Sequence, residues 1–131
     1  MRLKNKNILL VEDDLFLGKM LMRLLKVEGA KSDWAQDGEE ALDKLKNDTF
    51  DLIIADLMMP KMDGRELIKR VKADEKTKDI PIIVLTNLIS SISTKDELEE
   101  IKNSGISGLF VKSNTHLSDL VDRVVNLLKE A

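Results

Sequence analysis

Four short apolar runs punctuate the chain: NILLV (7–11), DLIIA (51–55), PIIVL (81–85) and GLFV (108–111). Continuous apolar runs of this length suit parallel strands covered on both faces, where no alternate position meets water. A fifth segment, KSDWA (31–35), is polar at alternate positions and suits a sheet edge. Between these runs the period becomes helical. Leu15 to Val27 carries Leu17, Met20, Leu21, Leu24 and Leu25 as one stripe, with Gly29 placed to stop it. Asp37 can cap a helix from about Gly38 to Asn47 that turns Ala41, Leu42 and Leu45 inward. Glu66 to Ala73 supplies Leu67, Ile68 and Val71. The stretch from Ser93 or Thr94 to Ser104 supplies Leu98 and Ile101 before Gly105. Leu117 to Lys129 closes the pattern with Leu120, Val121, Val124 and Leu128.

Five successive βα units predict right-handed crossovers and one parallel sheet. No repeat, low-complexity segment or linker interrupts them. The expectation is a single domain over residues 1–131, with its core from about 7 to 129 and no output module in this chain.

Composition narrows the class only a little. A 43% hydrophobic share beside 34% charged residues suits a globular chain that can bury a core. The net charge of −3 offers no basic face for nucleic acid, and Arg2, Lys4 and Lys6 read as a solvated terminus. There is no cysteine and one histidine, His116, which excludes thiolate and histidine-rich metal sites and reads as a surface residue. The apolar runs are too short to span a bilayer, and no signal-peptide core follows the first charges. A cytoplasmic protein without nucleic-acid or membrane partners is the default expectation.

The stretch LLVEDDLF (9–16) then poses a chemical problem, because three acids follow a buried strand. Two carboxylates at ~4 Å repel by about 4 kcal/mol at an effective dielectric of ~20. In open α/β sheets ligands bind at the carboxyl ends of the strands. Those ends collect Glu12 and Asp13, Asp56, Thr86 and Lys112. Three acids invite a hard divalent cation such as Mg2+, with Mn2+ also possible. A hydroxyl and an ammonium across from them suit an anion. A metal and a lysine flanking a carboxylate suit phosphoryl transfer, with Asp56 as nucleophile. Asp14 reads as a helix cap, Trp34 as packing, and Met58, Met59 and Met62 as packing and rim-covering groups. Within MMPKMDG, Pro60 fixes a turn, Asp63 can cap the third helix and Gly64 relaxes the backbone.

The segments ILLVEDD, DLIIADLMMPKMDG, IPIIVLTN and GLFVK together resemble the receiver domain of two-component response regulators. The resemblance runs from about Asn7 to the last helix. It implies a flavodoxin-like, doubly wound sandwich with strand order 2-1-3-4-5. It implies that Asp56 accepts a phosphoryl group from a histidine kinase or phosphotransfer protein. Asp13 would ligate Mg2+ directly, Glu12 through water, and the backbone carbonyl of Met58 would add a ligand. Thr86, Lys112 and the backbone N–H groups of Leu57 and Asn87 would hold the phosphoryl oxygens. An unidentified downstream protein would read the face formed by the fourth helix, fifth strand and fifth helix, with the chain a monomer or a phosphorylation-dependent dimer. Such a domain modifies and hydrolyses itself and is not a turnover enzyme.

Three departures from the family pattern stand out. Ser113 replaces the proline after the lysine, leaving a trans bond, a serine cap or a strained cis bond as possibilities. Leu109 replaces the aromatic switch residue, and Phe110 falls on the opposite strand face. The span from Thr86 to Lys112 looks about four residues longer than is common, adding roughly one turn to the fourth helix or lengthening the loop before it, with ISSIS (89–93) as a candidate contact. The main rival is a phosphorylation-independent interaction module on the same fold. An FMN carrier would need a phosphate-cradling loop where VEDDLF offers negative charge. A haloacid-type phosphatase would want an acid at Met58.

Overall fold

The computed structural model describes residues 1–59, 61–87 and 95–129. In chain order these form β1 (Asn7–Val11), α1 (Leu15–Val27), β2 (Lys31–Ala35), α2 (Gly38–Asn47), β3 (Leu52–Asp56), α3 (Gly64–Ala73), β4 (Ile82–Thr86), α4 (Lys95–Lys102), β5 (Gly108–Val111) and α5 (Leu117–Lys129). A single turn of 3-10 helix, Lys112–Asn114, joins β5 to α5. All neighbouring strands pair in parallel, in the order β2-β1-β3-β4-β5. Among the described residues no helix is long and apolar enough to cross a membrane.

Period-two alternation along the buried strands makes two cores. Leu9, Val11, Ile53, Ala55, Ile82 and Val84 face a layer from α2, α3 and α4 that includes Leu45, Leu67, Ile68 and Ile101. Ile8, Leu10, Leu52, Ile54, Ile83 and Leu85 face α1 and α5, through Leu21, Leu25, Leu120 and Val124. Each fully buried aliphatic side chain of this kind contributes about 1.5–3 kcal/mol. That explains why the central strands read as unbroken apolar runs. The polar strand β2 lies at one edge, as its alternation predicts.

Helix ends follow the local chemistry. Asp14 accepts from Phe16 N–H and Leu17 N–H, Asp37 from Glu40 N–H, and Asp63 from Arg65 N–H, so each aspartate caps its helix. The cap at Asp63 starts α3 at Gly64, two residues ahead of the position that apolar spacing alone suggests. Gly29 (φ 89°) and Gly105 (φ 92°) stop α1 and α4 in the left-handed region. Strands β3 and β4 each begin one residue later than their apolar runs. Asp51 stays outside β3 and accepts the Asn7 N–H at 2.7 Å, while Pro81 accepts from Ile53 N–H at 2.9 Å. The expected turn at Pro60, the helix start at Ser93 or Thr94, and the ISSIS segment fall outside the described residues.

The N-terminus is part of the packed body and not a solvated tail. Leu3 is fully buried in the α1–α5 core, and its N–H donates to the Glu28 carbonyl at 2.8 Å. Arg2 pairs with Glu28 at 2.6 Å and with Asp122 at 3.0 Å, bridging the end of α1 to α5. The apolar contact outweighs the ion pairs, because Arg2 is half exposed and water screens it. Leu3→Ala is expected to destabilise the fold by about 2–4 kcal/mol. Arg2→Ala is expected to cost much less. Urea denaturation of the two variants distinguishes them, and equal losses would contradict this ranking.

Candidate functional site

The carboxyl edge of the sheet gathers side chains from β1, β3 and β5. Past the end of β1, Glu12 is held by its backbone on the β2 side. Its N–H donates to the Ala35 carbonyl at 3.0 Å. Its carbonyl accepts the Trp34 indole N–H at 2.8 Å. The Glu12 side chain is fully buried, and Oε2 accepts the Asp14 N–H at 3.1 Å. Asp13, next in sequence, is exposed. At the end of β3, Asp56 is 4% exposed, and its Oδ1 accepts the Met58 N–H at 3.2 Å.

Lys112 closes the cluster from β5. Its Nζ lies 2.8 Å from Asp56 Oδ2 and 3.2 Å from Glu12 Oε2. Oε1 of Glu12 is 3.1 Å from the same ammonium, but at an angle that leaves this buried oxygen without a hydrogen bond. Carboxylate oxygens of Glu12, Asp13 and Asp56 lie within 4.8 Å of one another. Burial and the neighbouring Asp56 charge push the Glu12 carboxyl up to about 7, against the opposing pull of the Asp14 amide and Lys112. For Lys112, burial lowers the pKa, but hydrogen bonding and charge from Asp56 and Glu12 prevail and raise it above the usual lysine value. The lysine is therefore a fixed cation at neutral pH.

No cis peptide bond occurs among the described residues, so Lys112–Ser113 is trans. Ser113 is exposed, and its side chain caps nothing in the turn. Thr115 closes this turn instead, its hydroxyl donating to the Val111 carbonyl at 2.6 Å. Thr86 ends β4 fully buried, opposite Val111 in register. Asn87 follows it at the exposed rim. Leu109 packs on the α2–α3–α4 side of the sheet and Phe110 on the α1–α5 side, as alternation requires.

Two expected details differ. The Leu57 N–H, assigned to the phosphoryl cradle, donates to the Leu85 carbonyl at 3.3 Å because the β3–β4 ladder continues one residue past the strand. The amide that reaches the Asp56 carboxylate is that of Met58. Gly64 takes no left-handed conformation; Lys61 (φ 69°) makes that turn in this loop. Gly64 is required for space, since a Cβ there would lie 2.4 Å from the Asp56 carbonyl oxygen and 2.6 Å from Leu57 Cα. The N-terminus of α3 thus packs directly on the backbone that carries Asp56. Among the methionines, Met58 is half exposed, while Met62 is buried against Gly38.

Sequence reasoning assigned Trp34 to packing, without its bond to Glu12, and passed over Gly18 and Thr115. The indole of Trp34 fills the place of a side chain at Gly18 on α1, where a Cβ would come within 2.1 Å of the ring. One faint signal existed: a lone tryptophan on an otherwise polar edge strand, opposite a helical glycine. Nothing local tied it to Glu12.

Comparison with known proteins agrees with this geometry. A family model described as the response regulator receiver domain matches residues 8–125. Chemotaxis protein CheY-3 of Vibrio cholerae is 31% identical over 128 residues, 95% of either chain. The gliding motility regulatory protein of Myxococcus xanthus is 41% identical over 87 residues, 66% of this chain but 11% of that much longer protein. The swarming motility regulation protein RssB of Serratia marcescens is 39% identical over 120 residues, and this chain spans 51% of its length. The receiver domain of a signal transduction histidine kinase from Syntrophus aciditrophicus superposes with a TM-score of 0.85 at 28% identity, over 96% of this chain and 92% of that one. Chemotaxis response regulator CheY4 of Vibrio cholerae superposes with a TM-score of 0.81 at 30% identity, over 93% and 98%. With its flavodoxin-like strand order and its acid rim, this chain belongs to the response regulator receiver domains of two-component signalling.

Proposed function

We infer that this chain is a phosphoacceptor. Asp56 takes a phosphoryl group from the phosphohistidine of a kinase or phosphotransfer protein, and a downstream protein reads the resulting change on the α4–β5–α5 face. The observation that carries this reading is the Lys112 ammonium, 2.8 Å from Asp56 Oδ2 in the company of two further acids. A structural ion pair needs one acid. Here three crowd the same rim, and Glu12 Oε1 is buried without a hydrogen bond. That donor set suits a hard divalent cation. Glu12, Asp13, Asp56 and the Met58 carbonyl would hold Mg2+, and Mn2+ could take the same oxygens. When bound, the cation neutralises charge on the attacking carboxylate and on the phosphoryl oxygens.

The chain's own residues supply the rest. Asp56 provides the attacking oxygen: an O–P bond forms while the P–N bond to the donor imidazole breaks, and the nitrogen keeps the electron pair. Lys112 already lies at hydrogen-bond distance from the acceptor and can follow the charge onto a phosphoryl oxygen. The Met58 amide and the Thr86 hydroxyl are further donors at the same edge, with the Asn87 amide beyond them. The phosphoryl group is later lost to water, so the chain is substrate and site at once, not a turnover enzyme. The rival reading, a phosphorylation-independent interaction module, rests on Leu109 and Ser113. Neither prevents the trans Lys112–Ser113 turn from bringing the lysine onto Asp56.

Intact mass after incubation with a small-molecule phosphodonor tests the reading. One phosphoryl group is expected with Mg2+, none with chelator, and none in Asp56→Asn. No adduct in the unsubstituted protein, together with no binding of a beryllium fluoride mimic, would sink the phosphoacceptor reading in favour of the rival. Lys112→Ala is expected to slow phosphorylation by about a hundredfold, the order of loss when one oxyanion donor is removed. An unchanged rate by stopped assay would remove Lys112 from the mechanism.

The raised Glu12 carboxyl gives the metal-free protein one pH-dependent contribution to stability. Its carboxyl titrates at about 7 when folded, against 4.5 for a freely solvated glutamate. Folding therefore favours the protonated acid. That contribution is fully present below about pH 4.5 and is lost as pH rises through about 7. Without divalent ions, stability is expected to fall by about 2 kcal/mol between about pH 5.5 and about pH 8. Glu12→Gln should flatten the slope, and Mg2+ should restore stability at the upper end. Urea denaturation at both pH values measures each; a metal-free protein more stable at the higher pH would contradict the shift.

A further inference from the structure

We propose that Trp34 is a positioning residue for the acid rim: its indole N–H holds the backbone of Glu12, so that Glu12 and Asp13 meet a divalent cation already in place. This inference rests on the cation-dependent phosphoacceptor reading and goes beyond it, because Trp34 lies on the edge strand and outside the acid cluster.

Three observations converge on it. The indole Nε1–H donates to the Glu12 carbonyl at 2.8 Å, across 22 residues of sequence. The Glu12 N–H is taken by the Ala35 carbonyl at 3.0 Å, so both backbone polar groups of Glu12 are secured from β2. The ring itself is wedged against α1. It fills the notch at Gly18 so tightly that a Cβ there would come 2.1, 2.5 and 2.7 Å from three ring atoms. Trp34 therefore braces the acid-bearing loop against α1, the helix that the same loop feeds.

The energetic need is specific. Glu12 has a fully buried side chain that shares its surroundings with Asp56, and the two carboxylates repel. Left to itself, the segment after β1 would relieve the repulsion by rotating Glu12 outward. A hydrogen bond to its own carbonyl opposes that rotation without adding a cation to the cluster, so the affinity for an external cation is kept. Arginine or lysine at position 34 would hold the loop and also compete with the metal. A neutral donor on a rigid bicyclic ring avoids that competition.

The test is calorimetric titration of Mg2+ into the full chain in three forms: unsubstituted, Trp34→Phe, and the chain in which Trp34 is replaced by its benzothienyl analogue. The analogue keeps the bicyclic ring and exchanges N–H for sulfur, which guards against a phenylalanine variant that packs badly. A Leu128→Val variant, altered in α5 away from the acids, serves as a control for lost stability alone. The expected result is an Mg2+ dissociation constant raised about fivefold in both Trp34 forms, the size of one lost neutral hydrogen bond, and unchanged in Leu128→Val. Equal Mg2+ affinity in the unsubstituted and benzothienyl proteins would overturn the inference while leaving the phosphoacceptor reading intact. No Mg2+ binding by the unsubstituted protein would overturn both.

Discussion

A buried glutamate beside a buried aspartate is the constraint on which the rest of this site depends. Glu12 is fully buried and Asp56 nearly so, and their mutual repulsion adds to burial in raising the Glu12 carboxyl toward neutrality. Lys112 offsets part of this by contacting both, at 2.8 Å and 3.2 Å. One ammonium among three carboxylates still leaves the cluster net negative. Isolated buried charges are costly, and a protein that keeps such a group commonly does so for binding or catalysis. On the phosphoacceptor reading, the local excess of negative charge would draw a cation, and the cation would let an anionic phosphoryl group approach Asp56.

The fold supplies the stiffness that this electrostatic arrangement needs. Parallel strands β1, β3 and β5 each end at the same edge, so three unrelated segments of chain deliver Glu12, Asp56 and Lys112 to within hydrogen-bond reach. Each strand is locked by packing on both faces, which keeps the side chains at its end from retreating. Close approach does the same work for the loops. Gly64 lets α3 sit on the Asp56 backbone, Gly38 lets Met62 pin the β3–α3 loop against α2, and Gly18 admits the Trp34 ring. In all three places the absence of a side chain is the structural content.

This division explains what the sequence reveals and what it withholds. Strands, helix caps and the two glycine stops depend on residues within a few positions of one another, and they read directly. The acid rim reads almost as well, because topology alone says that strand ends converge. Contacts between distant segments do not read. Leu3 looks like part of a charged tail until α1 and α5 close over it. Trp34 looks like packing until Glu12, far upstream in the chain, is brought beside it. The Leu57 and Met58 amides are adjacent in sequence, and only the real length of the β3–β4 ladder decides which faces the carboxylate. Gly64 illustrates a subtler failure, since a glycine after a turn suggests backbone freedom, whereas the backbone at Gly64 is ordinary and the crowding is not.

The departures at Leu109 and Ser113 can be placed by the same physics. A chain without tyrosine, and with its aromatic on the wrong face of β5, cannot move a ring between the sheet and solvent beside Thr86. Leu109 is an aliphatic group, partly buried against the core that holds Val84 and Ile101, so it joins β5 to the α2–α3–α4 layer by packing alone. Lys112 lies three residues beyond Leu109 on the same strand–turn unit, and Thr115 fixes that unit to Val111. Lys112 and Leu109 therefore sit on one short stretch of backbone. On the phosphoacceptor reading, a signal from the acid rim to the α4–β5–α5 face would travel by repacking of this unit and not by rotation of an aromatic ring. Such coupling requires two discrete packings of β5 against α4. The lysine is aimed by a threonine-closed turn in place of a proline.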